Sequence, residues 1–122
     1  MRSPFILGAA AMAAAMLAAM PRAHAHAVII DSTPAINATV KAGAVDIVLH
    51  YNSRIDHLRS RLTLVSADGK ARSLAIAPDS APDVIKAGAS DLTPGHYRLR
   101  WQVLAIDGHL TRGDIPFSVA NP

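Results

Sequence analysis

The sequence contains no cysteine and no glutamate, and its four methionines all lie within the first 20 residues. Without cysteine, an exported form of the chain has no disulfides, so its core alone must hold it together. After residue 20 there is neither thiolate nor thioether, so any metal bound there has nitrogen and oxygen ligands. The motifs of serine hydrolases, zinc peptidases and phosphate-binding loops are also missing. The sequence therefore favours a binding protein over an enzyme of these classes.

Charge and aromatic residues are sparse after the N-terminal stretch. Of the 12 basic residues, only Arg2 and Arg22 precede residue 26, so residues 26–122 carry 10 basic and 9 acidic residues. There is no basic run, and the aromatic residues are scattered, which argues against nucleic-acid binding. The 97 residues from 26 to 122 are enough for one domain with its own core.

The N-terminus has the three parts of a secretory signal peptide. A positive charge at Arg2 precedes an uncharged stretch over residues 4–20, and the small-x-small triplet Ala23-His24-Ala25 follows. We therefore predict a signal peptide over residues 1–25 and a mature exported domain over residues 26–122. Two alternatives stay open: cleavage after Ala27, and retention as a membrane anchor, although the apolar run is shorter than the roughly 20 residues of a spanning helix.

The mature chain has the pattern of short strands separated by turns. The clearest strand, over residues 96–105, alternates apolar and polar side chains and places Trp101 on the apolar face. Asp68-Gly69 between two apolar runs predicts a hairpin. We predict about seven strands in a small antiparallel β-sandwich. The predicted strands cover residues 27–30, 45–51, 61–65, 72–76, 83–86, 96–105 and 114–119.

One local cluster could bind a metal, the Asp107-Gly108-His109 segment that follows the clearest strand. Alone, this spacing more often marks a solvated turn than a metal site. Cleavage after Ala25 adds a free α-amine and an imidazole at His26, which together with Asp107 and His109 give three nitrogens and one oxygen. A tetragonal set of this kind favours Cu(II), with tetrahedral zinc as the main competitor. The other histidines have no ligand partner at close spacing, and we expect structural or solvated roles for His24, His50, His57 and His96.

Several elements in order along the chain resemble the CopC family of copper-resistance domains, over essentially all of residues 26–122. They are His26, Asp31-Ser32-Thr33-Pro34-Ala35, Leu49-His50-Tyr51-Asn52, Pro94-Gly95-x-Tyr97-x-Leu99-x-Trp101, Asp107-Gly108-His109 with Thr111-x-Gly113, and Phe117-Ser118-Val119. The resemblance implies an all-β, immunoglobulin-like Greek-key sandwich in which Cu(II) is held by His26, Asp107 and His109. It also implies a periplasmic protein that sequesters copper or delivers it to an inner-membrane transporter of the CopD type. We expect a monomer.

The chain departs from this family at two places. Some members hold Cu(I) in a methionine-rich loop, but residues 54–75 contain no methionine, so we expect no second copper site and assign His57 no copper. Leu110 follows the Asp-x-His segment where the family more often has proline.

Two other functions fit parts of this pattern, namely a polysaccharide monooxygenase with an N-terminal histidine and a metal-free scaffold module. Oxygen chemistry needs an open coordination position, which the Asp107 carboxylate would fill. Tyr97 and Trp101 fall on the apolar strand face and so provide no flat aromatic surface for a polysaccharide. A copper-binding protein that is not an enzyme is therefore the favoured interpretation.

The cleavage site gives the first testable prediction. Intact-mass analysis of the exported protein is expected to show a chain that begins at His26, because Ala23-His24-Ala25 is the favoured processing site. A mature chain beginning at Val28 would contradict the proposed ligand set, since it would lack the histidine at its N-terminus.

Overall fold

The computed structural model describes residues 27–122, which form eight strands in two sheets and no helix. The predicted leader and His26 lie outside the described residues. The strands are β1 Ile29–Thr33, β2 Thr39–Val40, β3 Gly43–Tyr51, β4 Arg61–Ser66, β5 Ala71–Leu74, β6 Val84–Leu92, β7 Gly95–Leu104 and β8 Leu110–Val119. One sheet has the order β1-β3-β6 and the other β2-β8-β7-β4-β5. The predicted all-β sandwich is confirmed, and the strand added to the predicted seven is the two-residue β2, which runs parallel to β8.

β7 is the central strand of the larger sheet. It pairs with β4 on one side and β8 on the other, both antiparallel. Tyr97, Leu99, Trp101 and Val103 are buried in the core and the arginines of β7 are exposed, as the alternating sequence predicts. Within residues 27–122, no helix is of the length and hydropathy that crossing a membrane requires.

β6 is longer than the sequence predicts. The expected strand covered residues 83–86, whereas β6 continues to Leu92. Ala87, Gly88, Ala89 and Ser90 form strands poorly by themselves, so the sequence gives a weak signal there. The strand continues because β6 pairs with β3 from His50↔Val84 to Gly43↔Leu92. Pairing and burial against the core thus override local preference.

β8 also begins earlier than the predicted residue 114. It pairs with β7 from Gly95↔Val119 to Leu104↔Leu110, so the two strands form one long hairpin. Only residues 105–109 remain as the loop between them. The extended hairpin therefore fixes both ends of the segment that contains the Asp-x-His residues.

Aromatic side chains from both sheets meet in the core. Tyr51 of β3 and Trp101 of β7 make an edge-to-face contact with ring centroids 5.5 Å apart. Gly113 lies opposite Trp101 on β8. A Cβ atom at Gly113 would lie 2.5 Å from Cζ2 of the indole, closer than any ordinary contact. Glycine at this position therefore lets the indole pack flat against β8.

This close approach predicts the effect of a single methyl group. Gly113→Ala should lower the free energy of unfolding by about 1–3 kcal/mol, because the indole must move within a packed core. Gly88→Ala is the matched control, since a Cβ there has no neighbour within 4 Å, and we expect a change below about 0.5 kcal/mol. Urea denaturation of both variants measures the difference. Equal stability of the two variants would contradict the packing described.

Candidate metal centre

The loop between β7 and β8 is short and well connected by backbone hydrogen bonds. The Gly108 N–H donates to the carbonyl of Ala105 over 2.9 Å, and the Ala105 N–H donates to the carbonyl of His109, also over 2.9 Å. Gly108 has a φ of +92°, a conformation that side chains with a Cβ rarely adopt. The glycine thus allows a tight turn in which the residues on either side of it approach each other.

Asp107 and His109 lie in contact across this turn. One carboxylate oxygen of Asp107, Oδ1, accepts a hydrogen bond of 3.1 Å from the His109 N–H. The other, Oδ2, lies 3.1 Å from His109 Nδ1, and the two side chains are 44% and 40% exposed. The backbone N–H of His109, and next its side chain, lower the pKa of Asp107. The pair therefore offers an ionised oxygen donor and an imidazole, both accessible from solvent.

A carboxylate in this position can also orient the imidazole. When neutral His109 directs its Nδ1 proton toward Asp107, its lone pair lies on Nε2, on the other side of the ring. Carboxylates commonly orient metal-binding histidines in this way. The arrangement can present a nitrogen ligand with little loss of side-chain freedom.

These two residues supply only part of a metal site. Among residues 27–122, no group of three or more histidine, cysteine, aspartate or glutamate side chains is placed to hold a metal ion. Transition-metal sites in proteins use three or four protein ligands. His26, the third predicted ligand, lies outside the described residues.

The first described residues are firmly held. Ala27 is only 1% exposed and belongs to the core. The Val28 N–H donates to Asn52 Oδ1 over 2.8 Å, and the Asn52 N–H donates to the Val28 carbonyl over 3.0 Å. Ile29 then pairs with Tyr51 at the start of β1. The position from which residue 26 extends is thus fixed by a buried side chain and a pair of hydrogen bonds.

The same short segment of chain also holds the β7–β8 loop. We call Asn52–Asp56 the connector, since it follows β3 and leads toward β4. The carbonyl of Arg54 accepts a 3.0 Å hydrogen bond from the Ile106 N–H, and the Asp56 N–H donates to the carbonyl of Leu104 over 2.9 Å. Asn52 and Arg54 are two residues apart, at most about 7 Å in an extended chain. The chain start and the Asp-x-His loop are therefore attached to neighbouring parts of one connector.

Asn52 is a positioning residue that sequence reasoning missed. It stood in a motif of the family resemblance, but no role followed from its position alone. The available signal was an asparagine directly after a strand, where its side chain can hydrogen-bond to nearby backbone. Its partner, Val28, is 24 residues away in the sequence, and only the β1–β3 register brings the two together.

The remaining described histidines have structural contacts. Nε2 of His50 lies 2.9 Å from Oδ2 of Asp83. Nε2 of His57 lies 2.7 Å from the Val84 carbonyl oxygen, and Nδ1 of His96 lies 2.9 Å from the Ser118 hydroxyl. These contacts agree with the structural or solvated roles expected for all three.

Comparison with known proteins agrees with the fold and the motifs. The family model described as "CopC domain" matches residues 29–120. Copper resistance protein C of Xanthomonas campestris pv. juglandis is 34% identical over 116 residues, which cover 88% of this chain and 90% of that protein. Protein YobA of Escherichia coli K12 is 30% identical over 102 residues, which cover 81% of this chain and 82% of YobA.

Two crystal structures share the fold. CopC from Methylosinus trichosporium OB3b superposes with a TM-score of 0.73 at 23% identity, covering 80% of this chain and 99% of that one. PcoC, a methionine-rich copper resistance protein from Escherichia coli, gives a TM-score of 0.65 at 22% identity, covering 79% and 100%. At these identities the likeness supports the fold and leaves the site to be argued from the chain's own residues.

The His50–Asp83 contact predicts a measurable titration. The hydrogen bond from His50 is the main cause of the lowered pKa of Asp83, so His50→Ala should raise that pKa toward its usual value of about 3.9. Because the folded-state pKa is the lower one, the contact stabilises the fold above the unfolded-state pKa. This contribution disappears as pH falls through the folded-state pKa.

Carboxyl ¹³C NMR titration of the metal-free protein measures both aspartates. The pKa of Asp107 should stay unchanged in His50→Ala, since it is lowered by His109 instead. An Asp83 midpoint that does not move would show that His50 makes no such contact in solution.

Proposed function

The chain belongs to the CopC family of copper-resistance proteins, which bind copper and are not enzymes, and we propose that it holds one Cu(II) ion at the N-terminus of its periplasmic form. In this proposal, removal of residues 1–25 makes His26 the first residue. The α-amine and imidazole of His26 then join the Asp107 carboxylate and the His109 imidazole around the ion. The mature domain, residues 26–122, acts as a monomer.

The shared connector is the observation that carries this proposal. Ala27 is buried and Val28 is bonded to Asn52, so residue 26 extends from a fixed point. Arg54, two residues further along the connector, is bonded to the loop that carries Asp107 and His109. A ligand at residue 26 therefore has a short distance to cover. Because these anchors are formed by the folded domain, little chain entropy remains to be lost when the metal binds.

The donor chemistry favours Cu(II). Three nitrogens and one carboxylate oxygen suit a tetragonal ion, and Cu(II) binds such donors most tightly among the common divalent metals. Cu(I) prefers soft sulfur ligands, and the chain has no cysteine and no methionine after residue 20. The α-amine has an ordinary pKa near 8 and must lose its proton to bind, so copper affinity should fall as pH falls.

The exposure of the site fits a carrier. Asp107 and His109 are 44% and 40% exposed, so an incoming ligand from another molecule can reach the metal. Copper can then leave by stepwise ligand exchange, without a change in oxidation state. This supports sequestration of periplasmic copper, or its delivery to an inner-membrane transporter of the CopD type.

Removing single ligands tests the site. His109→Ala and Asp107→Asn should each weaken Cu(II) binding, the first by about 100-fold or more, since the loss of even an outer-shell partner costs about 10- to 100-fold. His96→Ala is the matched control, because His96 lies at the other end of β7 and contacts Ser118; its affinity should be unchanged. Competition titration with a chromophoric chelator measures the affinity.

A variant with one alanine added before His26 tests the free amine separately. The added residue leaves both side-chain ligands of the loop in place but moves the α-amine away from the His26 imidazole. We expect altered electron paramagnetic resonance parameters and weaker binding. Unchanged binding in this variant and in His109→Ala would overturn the proposed site.

A further inference from the structure

The outer face of the larger sheet is strongly basic. We call this surface the basic face and define it by the outward side chains of β4, β7 and β8. On these strands alternate residues are buried in the core, so the intervening ones point away from it. Four of them are exposed arginines, namely Arg61, Arg98, Arg100 and Arg112.

The strand register places these arginines close together. Gln102 on β7 lies between Arg61 on β4 and Arg112 on β8 and pairs with both. Arg100 and Arg98 are the next outward residues along β7. Adjacent strands are about 4.8 Å apart and alternate residues about 6.7 Å apart, so the group spans roughly 10 by 14 Å. The face therefore concentrates positive charge on a sheet surface that is open to solvent.

One carboxylate neutralises only part of this charge. Asp114 lies 3.8 Å from Arg98 and 3.3 Å from Arg100, which are 57% and 54% exposed. Within residues 27–122, Arg61 and Arg112 form no ion pair. The face thus carries an excess of three positive charges, whereas the described chain as a whole carries 10 basic and 9 acidic residues. The excess of positive charge is therefore concentrated on the basic face.

An apolar edge adjoins the basic face at the end that carries the Asp-x-His loop. Leu104 and Leu110 are the last pair of the β7–β8 hairpin and share the outward direction of the arginines. Leu110 is 47% exposed, and Ile106 in the loop beside it is 72% exposed. Arginines next to exposed aliphatic side chains suit the interface of a bilayer, where phosphates meet hydrocarbon.

We propose that the basic face binds the surface of a bilayer containing anionic phospholipid. Guanidinium groups match phosphate oxygens through paired hydrogen bonds, and an open sheet can meet several headgroups at once. An acidic protein partner would also attract the arginines, but the apolar edge beside them favours lipid. Binding in this orientation holds the Asp-x-His loop near the membrane, where a membrane-bound recipient of copper would be reached. This last consequence alone rests on the proposed function.

Vesicle sedimentation of the protein purified after export and freed of metal tests the proposal. With vesicles of equimolar phosphatidylglycerol and phosphatidylcholine at 0.1 M salt, the partition coefficient should exceed that for pure phosphatidylcholine by about 100-fold, from about fivefold for each of the three excess positive charges. It should fall steeply as added salt shortens the screening length. Arg112→Gln should reduce it about fivefold, and Arg61→Gln/Arg112→Gln about 25-fold.

Lys86→Gln is the matched control. It removes one positive charge from the outward side of β6, in the other sheet. Stacked sheets lie about 10 Å apart, about one screening length at 0.1 M salt, so binding should change by less than about twofold. The melting temperatures of all variants should match that of the unaltered protein.

Three results would overturn the inference. They are equal binding to both vesicle types, an equal loss in Lys86→Gln and Arg112→Gln, or binding to soluble polyglutamate without binding to vesicles. The last would indicate an acidic protein partner. Copper titration of Arg61→Gln/Arg112→Gln separates this inference from the proposed function, because the variant should keep its Cu(II) affinity. If the protein does not bind anionic vesicles but still binds Cu(II), only the proposed membrane binding by the basic face is rejected.

Discussion

The hydrogen bonds of the connector Asn52–Asp56 are the constraint on which the candidate site depends. On one side Asn52 holds Val28, and on the other Arg54 and Asp56 hold the β7 end of the β7–β8 loop. Two segments about 80 residues apart in sequence are thereby fixed to the same short stretch of backbone. A change that moves the connector would move both halves of the site, even though no connector residue is among the proposed ligands.

The core gives this arrangement its rigidity. Tyr51 ends β3 just before the connector, and its ring packs edge-to-face on Trp101, near the end of β7. The indole in turn packs against Gly113 on β8. The aromatic contacts therefore link the strands that enter the connector and the loop. Exposed polar residues of a binding site can remain accessible because the strands beneath them are buried and closely packed.

Strands with a strong alternating pattern could be predicted from the sequence. Strand ends that depend on pairing with a distant strand could not. About seven short strands separated by turns, with the alternation in β7 the clearest of them, predicted the two-sheet sandwich. The predicted range for β6 was too short, because residues 87–90 have little intrinsic strand preference and form a strand only by pairing with β3. The contact of Asp107 with His109 followed from spacing and a glycine. The hydrogen bond between Val28 and Asn52 could not be predicted from the sequence, because it depends on the register between β1 and β3.

The central claim is that the start of the chain and the β7–β8 loop form one copper site. Paramagnetic broadening in ¹H–¹⁵N NMR spectra measures this directly, because Cu(II) removes the signals of nearby amides. One equivalent of Cu(II) should broaden the amides of Val28, Asn52 and residues 106–109 together, and leave those of His96 and Ser118 sharp. Broadening confined to the loop, or centred on His50, His57 or His96, would contradict the account.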